Sequence, residues 1–259
     1  MEDFLNLDRR LAIAHRGGSR LRPENTIAAF DHAASLGVDA IELDVHLSKD
    51  GAVVVIHDPT LERTTSGVGL VVDHTADELA RIDAGYQFRG PDGFPFRGQG
   101  IGISTLATVL ARYPAMPFII ELKAPAAALA ERALDVVRAA GAVDRVMFGS
   151  FRLDLLEIIR RSGAPVATSA AVPEALRAVL RSKVGLAPGR GDFQLFQLPE
   201  WRQGWRVITP GFVAGARRRG LPVHVWVVND DADMQRLLAW GVTGLISDRP
   251  DLAMRVVRG

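Results

Sequence analysis

The chain has 259 residues, of which 48% are hydrophobic and 24% charged, and its formal net charge is +1. A nearly neutral chain argues against a nucleic-acid partner and against a polybasic membrane-surface role. The absence of cysteine excludes disulfides, a thiolate nucleophile and a cysteine-ligated zinc site. The sequence lacks an apolar run of about 18 residues and a signal-peptide pattern in MEDFLNLDRR. We therefore expect a cytoplasmic protein without a transmembrane segment.

The predicted elements alternate between strands and helices along the chain. A short strand at 11–14 is followed by a helix that begins with Asn25 or Thr26 as N-cap and ends at Gly37. Seven further strands are predicted at 38–47, 118–122, 145–149, 166–169, 193–197, 223–228 and 245–247, with a short extra one at 207–208. Eight parallel strands with helices between them predict a TIM (β/α)8 barrel, which commonly uses about 250 residues as one domain. We predict a single domain, 1–259.

The stretch 38–59 predicts a strand, a tight turn and a second short strand. Asp50-Gly51 suits a two-residue type I′ turn, because glycine accepts the positive φ that this turn requires. That turn would set His57 directly opposite Asp44, with Cβ atoms about 5 Å apart. Glu42 and Asp44 share one face of the first strand. A half-exposed polar hairpin is the alternative, but two neighbouring carboxylates repel each other unless a cation lies between them.

Residues 60–110 interrupt the alternation with a short helix near 76–82 and a segment rich in glycine and aromatic residues. We interpret this stretch as an insertion between barrel strands 2 and 3, long enough to be functional. Its aromatic side chains would either form an apolar lip for an acyl chain or pack the insertion on itself, and we favour the second. They are Tyr86, Phe88, Phe94 and Phe96.

Polar side chains gather where the predicted strands end, and in a TIM barrel this edge carries the active site. Any one of them has an ordinary explanation as a capping, surface or core residue. Gln197 and Asn229 are explained as structural hydrogen-bonding residues, and four further histidines, His46 among them, receive no role. The coincidence of many such groups nevertheless favours a site. The residues are His15, Arg16, Glu42, Asp44, His57, Glu121, Lys123, Gln197, Trp226 and Asn229.

The residue types predict the chemistry of this site. Glu42, Asp44 and Glu121 offer oxygen ligands only, which suits one hard divalent cation, Mg²⁺ or Ca²⁺, with Mn²⁺ as a further option. Two basic side chains, Arg16 and Lys123, would hold an anionic group such as phosphate. Two histidines, His15 and His57, titrate near neutral pH and suit acid–base catalysis. Together these groups describe phosphoryl transfer, with Gln197 and Trp226 as further candidates for substrate binding.

The sequence resembles the glycerophosphodiester phosphodiesterase family. The combination of HRG, E-x-D, DG, HD and E-x-K is specific, and the similar segments span almost the whole chain. Departures at Ser104, Val227 and Ser247 leave the proposed chemistry intact, although Val227 lies beside Trp226. The similar segments are AHRGGSRLRPENTIAAF (14–30), GVDAIELDVHLSKDGAVVVIHDPTLERTT (37–65), IELK (120–123), FGSF (148–151), VHVWVVND (223–230) and GVTGLISDRPDL (241–252).

This resemblance implies a barrel that uses a metal ion to cleave a glycerophosphodiester to glycerol 3-phosphate and an alcohol, in lipid and glycerol metabolism. It implies metal ligands at Glu42, Asp44 and Glu121, an acid/base pair at His15 and His57, and phosphate contacts from Arg16 and Lys123. One alternative is a lysophospholipase D acting on lysoglycerophospholipids. Another is a non-catalytic barrel that binds phosphate esters, against which the intact set of histidines and acids argues.

Overall fold

Eight parallel strands surround the centre of the molecule in a computed structural model that describes residues 2–259. The strands are β1 (Leu11–His15), β2 (Ala40–Leu47), β3 (Val53–Val55), β4 (Phe118–Leu122), β5 (Val146–Gly149), β6 (Ala167–Thr168), β7 (Phe196–Pro199), β8 (Trp201–Arg202), β9 (Trp205–Arg206), β10 (Val223–Trp226) and β11 (Gly244–Ser247). The parallel ones follow the order β6-β5-β4-β2-β1-β11-β10-β7. A parallel bridge between Ser169 and Leu195 joins the two ends of this sheet. The predicted TIM barrel is confirmed.

Helices cover the outside of the barrel and lie between its strands, as the predicted alternation requires. Thr26 caps the second helix by accepting a hydrogen bond from the backbone N–H of Ala29, as predicted for an N-cap. The helices are α1 (Glu2–Leu5), α2 (Ile27–Ser35), α3 (Ala76–Leu79), α4 (Leu106–Arg112), α5 (Ala127–Ala139), α6 (Leu153–Arg161), α7 (Val172–Lys183), α8 (Pro210–Arg217), α9 (Asp231–Ala239) and α10 (Pro250–Arg258). No helix within residues 2–259 has the length and apolar character needed to cross a bilayer.

The alternation of side chains along each strand decides which groups enter the barrel. Leu11 and Ile13 of β1 pack inside the barrel with residues from β2, β4, β5 and β11, whereas Ala12 and Ala14 pack under the helices. His15 continues the inward period at the carboxyl end of β1. The same rule turns Glu42 and Asp44 of β2 inward, because Ile41, Leu43 and Val45 are buried under helices.

The predicted register of the β2–β3 hairpin is wrong. Val45 pairs with Val55 and Leu47 with Val53, so the position opposite Asp44 belongs to Ile56 rather than His57. The loop runs over 48–52 instead of closing at Asp50-Gly51 alone. Its closure comes from Ser48, whose hydroxyl donates to Asp50 and accepts from the backbone N–H of Ala52. In this longer turn the Ser48 hydroxyl accepts from Ala52 N–H, while the Ser48 carbonyl accepts from Gly51 N–H and the Ala52 carbonyl from Ser48 N–H.

The insertion between barrel strands 2 and 3 carries a small apolar cluster of its own. Leu61, Leu79 and Ile103 are buried together beneath α3 and a 3₁₀ turn at Val71–Asp73. Phe88 and Phe96 meet edge to face at 5.3 Å, and the guanidinium of Arg97 lies 4.0 Å from the Tyr86 ring and 3.8 Å from the Phe94 ring. The four aromatic residues therefore pack within the insertion, as we favoured from the sequence.

A short hairpin of β8 and β9 follows the sixth barrel strand. Trp201 pairs with Arg206 and Arg202 with Trp205, while Gln203 and Gly204 form its turn with positive φ. The extra strand predicted at 207–208 is therefore wrong, since the pairing residues precede it. The hairpin projects from the carboxyl edge of the barrel and becomes one wall of the cavity described below.

Candidate active site

A cavity of about 510 Å³ opens at the carboxyl ends of the barrel strands. It brings together all nine residues for which the sequence predicted a catalytic, metal-binding or substrate-binding role, whereas Asn229 is not in its wall. The nine are His15, Arg16, Glu42, Asp44, His57, Glu121, Lys123, Gln197 and Trp226. Both the parallel topology and the period-two alternation are needed for this convergence.

Asp44 is the most enclosed charged group of the cavity, at 1% exposure. Its carboxylate lies 3.1 Å from Lys123 Nζ and 3.2 Å from Arg16 Nε, and it accepts a hydrogen bond of 2.9 Å from Asn25 Nδ2. Burial opposes its ionisation, but the two cations outweigh burial and hold the pKa of Asp44 below its ordinary value. Beside these two cations, Asp44 is therefore anionic.

Glu42 and Glu121 show the opposite behaviour. Burial and the charge of Asp44 raise the pKa of Glu42 to about 7. Burial raises the pKa of Glu121 to about 8, helped by Asp44 and Glu42 and opposed by Lys123. The Glu121 carboxylate lies over Gly149, where an added Cβ would come within 2.4 Å of Oε2. Three acids thus share one enclosed space that holds too little positive charge to ionise all of them.

The donor chemistry of these acids fits a hard divalent cation, although the side chains are not arranged as a finished ligand set. Within residues 2–259, no group of three or more histidine, aspartate or glutamate side chains is positioned to hold an ion. Asp44 is turned toward Lys123 and Arg16, yet its buried Oδ1 has no hydrogen-bond partner in addition to that ion pair. Each of the three acids offers only oxygen as a ligand, and two of them have a raised pKa. A divalent cation bound among them would draw the carboxylates together and favour their ionised forms.

His15 is held by a residue that the sequence analysis missed. Its Nδ1 donates a 2.6 Å hydrogen bond to Asp248, which directly follows β11. Asp248 also accepts hydrogen bonds from the Ser19 hydroxyl at 2.6 Å and from Asn229 Nδ2 at 2.7 Å. Asn229 is thus the structural hydrogen-bonding residue that we expected. The search for polar residues at strand ends would have found Asp248 had it included the eighth strand.

His57 has a matching but differently charged support. Its Nδ1 donates a 2.6 Å hydrogen bond to Asp58, which in turn accepts one from Arg63 Nε. His46 Nε2 donates to the carbonyl oxygen of His57 at 2.9 Å, so this histidine, given no role from the sequence, fixes the backbone beside the site. Asp58 and Arg63 both lie in the segment similar to the family, where no role was assigned to them.

The two imidazoles differ in their titration. Burial lowers the pKa of His15, but the hydrogen bond to Asp248 and the charge of Glu42 outweigh it, so the net shift is upward. Burial lowers the pKa of His57, and Arg16 and Lys123 lower it further, against the charge of Asp44 and the hydrogen bond to Asp58. The pKa of His57 therefore falls below its ordinary value.

Arg16 connects the first strand to the acids of the second. Its residue adopts φ +52°, and this turn lets its backbone N–H donate to Glu42 Oε2 at 3.0 Å. The guanidinium of Arg16 donates to Glu24 at 2.8 Å. Glu24 also accepts two hydrogen bonds from Arg63, which places both arginines in one network.

The remaining predicted residues line the cavity from β7 and β10. Gln197 lies near Gly149, and its Nε2 is buried without a hydrogen-bond partner. Trp226 meets Phe151 edge to face at 5.9 Å, and Lys123 Nζ lies 5.4 Å from the same phenyl ring. Phe151, known from the sequence only as part of FGSF, therefore separates the charged centre from an apolar part of the cavity.

Comparison with known proteins identifies the family. A model described as the glycerophosphoryl diester phosphodiesterase family matches residues 15–252. A glycerophosphodiester phosphodiesterase of Caldanaerobacter subterraneus is 32% identical over 96% of this chain and 98% of its own length. The crystal structure of an Oleispira antarctica phosphodiesterase in complex with the product sn-glycerol-3-phosphate is 26% identical, with a TM-score of 0.76 over 95% of this chain and 96% of that one.

The alternative predicted from the sequence also has a relative, at lower identity. Lysophospholipase D GDPD1 of Homo sapiens is 25% identical over 92% of this chain and 83% of its own length. The stronger matches carry the name glycerophosphodiester phosphodiesterase, as the sequence predicted. With a match over residues 15–252 and a shared barrel, the chain belongs to the glycerophosphoryl diester phosphodiesterase family, whose members are phosphoric diester hydrolases.

Proposed function

We propose that this hydrolase cleaves glycerophosphodiesters by acid–base catalysis between His15 and His57, with the phosphate gripped by Arg16 and Lys123. The observation that carries the proposal is the pair of imidazoles, each with Nδ1 bound to a carboxylate and each in the wall of the same cavity. An occupied Nδ1 leaves Nε2 of each ring as the atom that exchanges a proton with substrate.

The supports of the two rings favour different roles. Asp248 accepts hydrogen bonds from a neutral hydroxyl and a neutral amide, and the nearest arginine atom, Arg20 Nε, lies 3.8 Å away, beyond hydrogen-bond distance. The negative charge of Asp248 therefore remains available to stabilise a His15 imidazolium. The charge of Asp58 is instead shared with Arg63. We therefore assign His15 as the acid that protonates the leaving alcohol and His57 as the base, in agreement with the directions of their pKa shifts.

Glu42, Asp44 and Glu121 would hold one divalent cation, Mg²⁺, Ca²⁺ or Mn²⁺. Bound there, the cation would offset the charge of the phosphate and lower the pKa of a nearby hydroxyl. Lys123 and Arg16 both contact Asp44 and lie where they can transfer those contacts to a phosphate oxygen. Gln197 offers an unpartnered amide in the same cavity and is a candidate hydrogen-bond donor to substrate.

Among residues 2–259, the cavity offers no side chain suited to a covalent intermediate. The chain lacks cysteine, and the described contacts of the two cavity serines do not involve an imidazole: Ser150 donates to the Leu122 carbonyl, and Ser169 lies beside Gly149. The glycerol 2-hydroxyl of the substrate lies on the carbon next to the one that bears the phosphate, so its attack on phosphorus closes a five-membered ring. This proximity favours it as nucleophile. We propose that His57 accepts the proton of this hydroxyl while His15 protonates the leaving alcohol. Water then opens the cyclic phosphate with the two roles reversed.

A product screen tests the reaction. Purified protein is incubated with glycerophosphocholine, glycerophosphoethanolamine and glycerophosphoinositol, with Mg²⁺, Ca²⁺, Mn²⁺ or EDTA, and the products are measured by mass spectrometry. Glycerol 3-phosphate and the free alcohol should appear with a metal ion and disappear with EDTA. Choline phosphate and glycerol as products would place cleavage at the other ester bond and overturn the proposal. A cytoplasmic location stays a prediction.

A further inference from the structure

The apolar part of the cavity extends from Phe151 along α7. This helix packs only alanines fully into the protein, Ala175 and Ala178, and turns larger apolar side chains outward. Leu176 is 57% exposed and Leu180 55%, one helical turn apart, so they form a stripe along one face. A surface helix normally buries its large apolar residues and exposes its small or polar ones. In α7 this arrangement is reversed, and both leucines line the cavity.

The opposite wall is the β8–β9 hairpin. Trp205 is 67% exposed and lines the cavity together with Arg202 and Val207. Lys183 Nζ at the end of α7 lies 4.9 Å from the Trp205 ring, so the helix and the hairpin meet at the far end. At the near end the guanidinium of Arg202 lies 5.9 Å from the Phe151 ring. These contacts make a trough with two apolar walls.

This trough is continuous with the catalytic centre. His15, Asp44 and His57 line the same cavity as Leu176, Leu180 and Trp205. Phe151 lies at the junction, because its ring centroid is 5.4 Å from Lys123 Nζ in the charged centre and 5.9 Å from the guanidinium of Arg202 in the hairpin. A substrate whose phosphate lies at Lys123 can therefore extend an attached chain between α7 and the hairpin without leaving the protein surface.

The dimensions of the trough select its occupant. From Val172 to Lys183 the helix rises about 16 Å at ~1.5 Å per residue. The hydrocarbon core of a bilayer is about 30 Å thick, so one layer of acyl chains is about 15 Å. A polar head group such as choline would leave this apolar length unused. We propose that the α7–hairpin trough binds the acyl chain of a lysophospholipid, and that lysophospholipids with a free glycerol 2-hydroxyl are the preferred substrate class.

This inference rests on the proposed phosphodiesterase chemistry and specifies its substrate. For a choline lysophospholipid, the bond between phosphorus and the choline oxygen breaks, and the choline oxygen takes a proton from His15. Water then opens the cyclic phosphate, and the oxygen of that water remains bonded to phosphorus in the product. The products are lysophosphatidic acid and choline. The acyl chain stays on the glycerol side, so the trough holds the part of the substrate that is retained through the reaction.

Chain length provides the test. Hydrolysis of glycerophosphocholine and of 1-acyl lysophosphatidylcholines with 6, 8 and 10 carbons is compared, each below its critical micelle concentration so that only monomers are present. We expect kcat/KM to rise by about fourfold for each methylene that the trough buries. Lysophosphatidylcholines no better than glycerophosphocholine would overturn the trough while leaving the proposed function intact. Failure to cleave any diester, with metal present, would overturn both.

Variants assign the effect to the trough. Leu176→Ser combined with Leu180→Ser should reduce the ratio of kcat/KM for the ten-carbon substrate to that for glycerophosphocholine by at least tenfold. Leu186→Ser is the matched control, because Leu186 is 52% exposed just beyond α7 and does not line the cavity. It should keep the wild-type ratio. An equal loss with both substrates in the double variant, or an equal fall of the ratio in the control, would contradict the proposal.

Discussion

The Nδ1 atom of His15 on β1 lies 2.6 Å from a carboxylate oxygen of Asp248, which directly follows β11. The first and last strands of the barrel are neighbours, so closure of the ring itself brings this imidazole to its carboxylate. His57 obtains its carboxylate from the next residue, Asp58. The proposed acid thus depends on the complete barrel, whereas the proposed base carries its partner with it.

Removing either imidazole should stop catalysis without unfolding the protein. General acid–base help is worth about 10²–10⁴-fold, so His15→Ala and His57→Ala should each lose roughly that factor in kcat. Circular dichroism should remain native. His32→Ala is the control, since His32 does not line the cavity. A variant of His15 or His57 within a few-fold of wild type would remove that residue from the mechanism.

The pH profile should distinguish the acid from the base. Asp248→Asn removes a contact that raises the pKa of His15. The protonated acid is then lost at lower pH, so the alkaline limb of the kcat/KM profile shifts to lower pH. Arg63→Gln removes the cation that shares the charge of Asp58, so Asp58 should raise the pKa of His57. The acid limb of the profile then shifts to higher pH. Arg112→Gln, whose partners are Asp31 and Tyr113, is the control. If instead Asp248→Asn moves the acid limb and Arg63→Gln moves the alkaline limb, the two roles are exchanged.

Metal binding should release protons. The pKa values of Glu42 and Glu121, about 7 and about 8, mean that both acids carry protons at pH 6.0 that a cation must displace. Apparent affinity for Mg²⁺ should therefore fall about tenfold per pH unit for each proton displaced, as pH drops below these values. Calorimetry in buffers of different ionisation enthalpy counts the protons. Glu121→Gln should release one fewer, and a proton count near zero at pH 6.0 in the wild type would refute this linkage.

Gly149 should be sensitive to a single methyl group. An alanine Cβ there would come within 2.4 Å of Glu121 Oε2, so the carboxylate must move. Gly149→Ala should weaken metal binding by roughly 10–100-fold, the loss typical when a ligand's support is changed. Gly211→Ala is the control, because its Cβ would meet only Thr209 Oγ1, at 3.9 Å. Wild-type metal affinity in Gly149→Ala would show that metal binding does not depend on the space over Gly149.

The glycerol 2-hydroxyl should be required for the first chemical step. A substrate lacking it cannot form the cyclic phosphate, so single-turnover cleavage should fall far below that of the parent compound. A trapped 1,2-cyclic glycerol phosphate in rapid-quench samples of the parent reaction would support the route directly. Cleavage of the 2-deoxy compound at close to the parent rate would make water the nucleophile.

The sequence by itself determined which groups face the interior of the barrel. Two pairs of site residues are each separated by two positions: Glu42 and Asp44 on one strand, and Glu121 and Lys123 at the end of another. Residues two apart share a face because alternation is a local property of an extended chain. Oxygen-only donors, basic residues and histidines then identified a phosphate chemistry before any contact was known. His15 followed from the same rule at the end of the first strand.

Tertiary structure decided what each of these groups contacts. Asp248 is 233 residues from His15 in sequence, and only closure of the ring makes them neighbours. The hairpin register differs by one residue from that of the two-residue turn that the local pattern favoured, and the longer turn uses the Ser48 hydroxyl as acceptor for Ala52 N–H. The apolar wall was expected, if anywhere, in the insertion, yet α7 and the β8–β9 hairpin supply it. Contacts of this kind depend on how distant segments pack, whereas alternation along one strand does not.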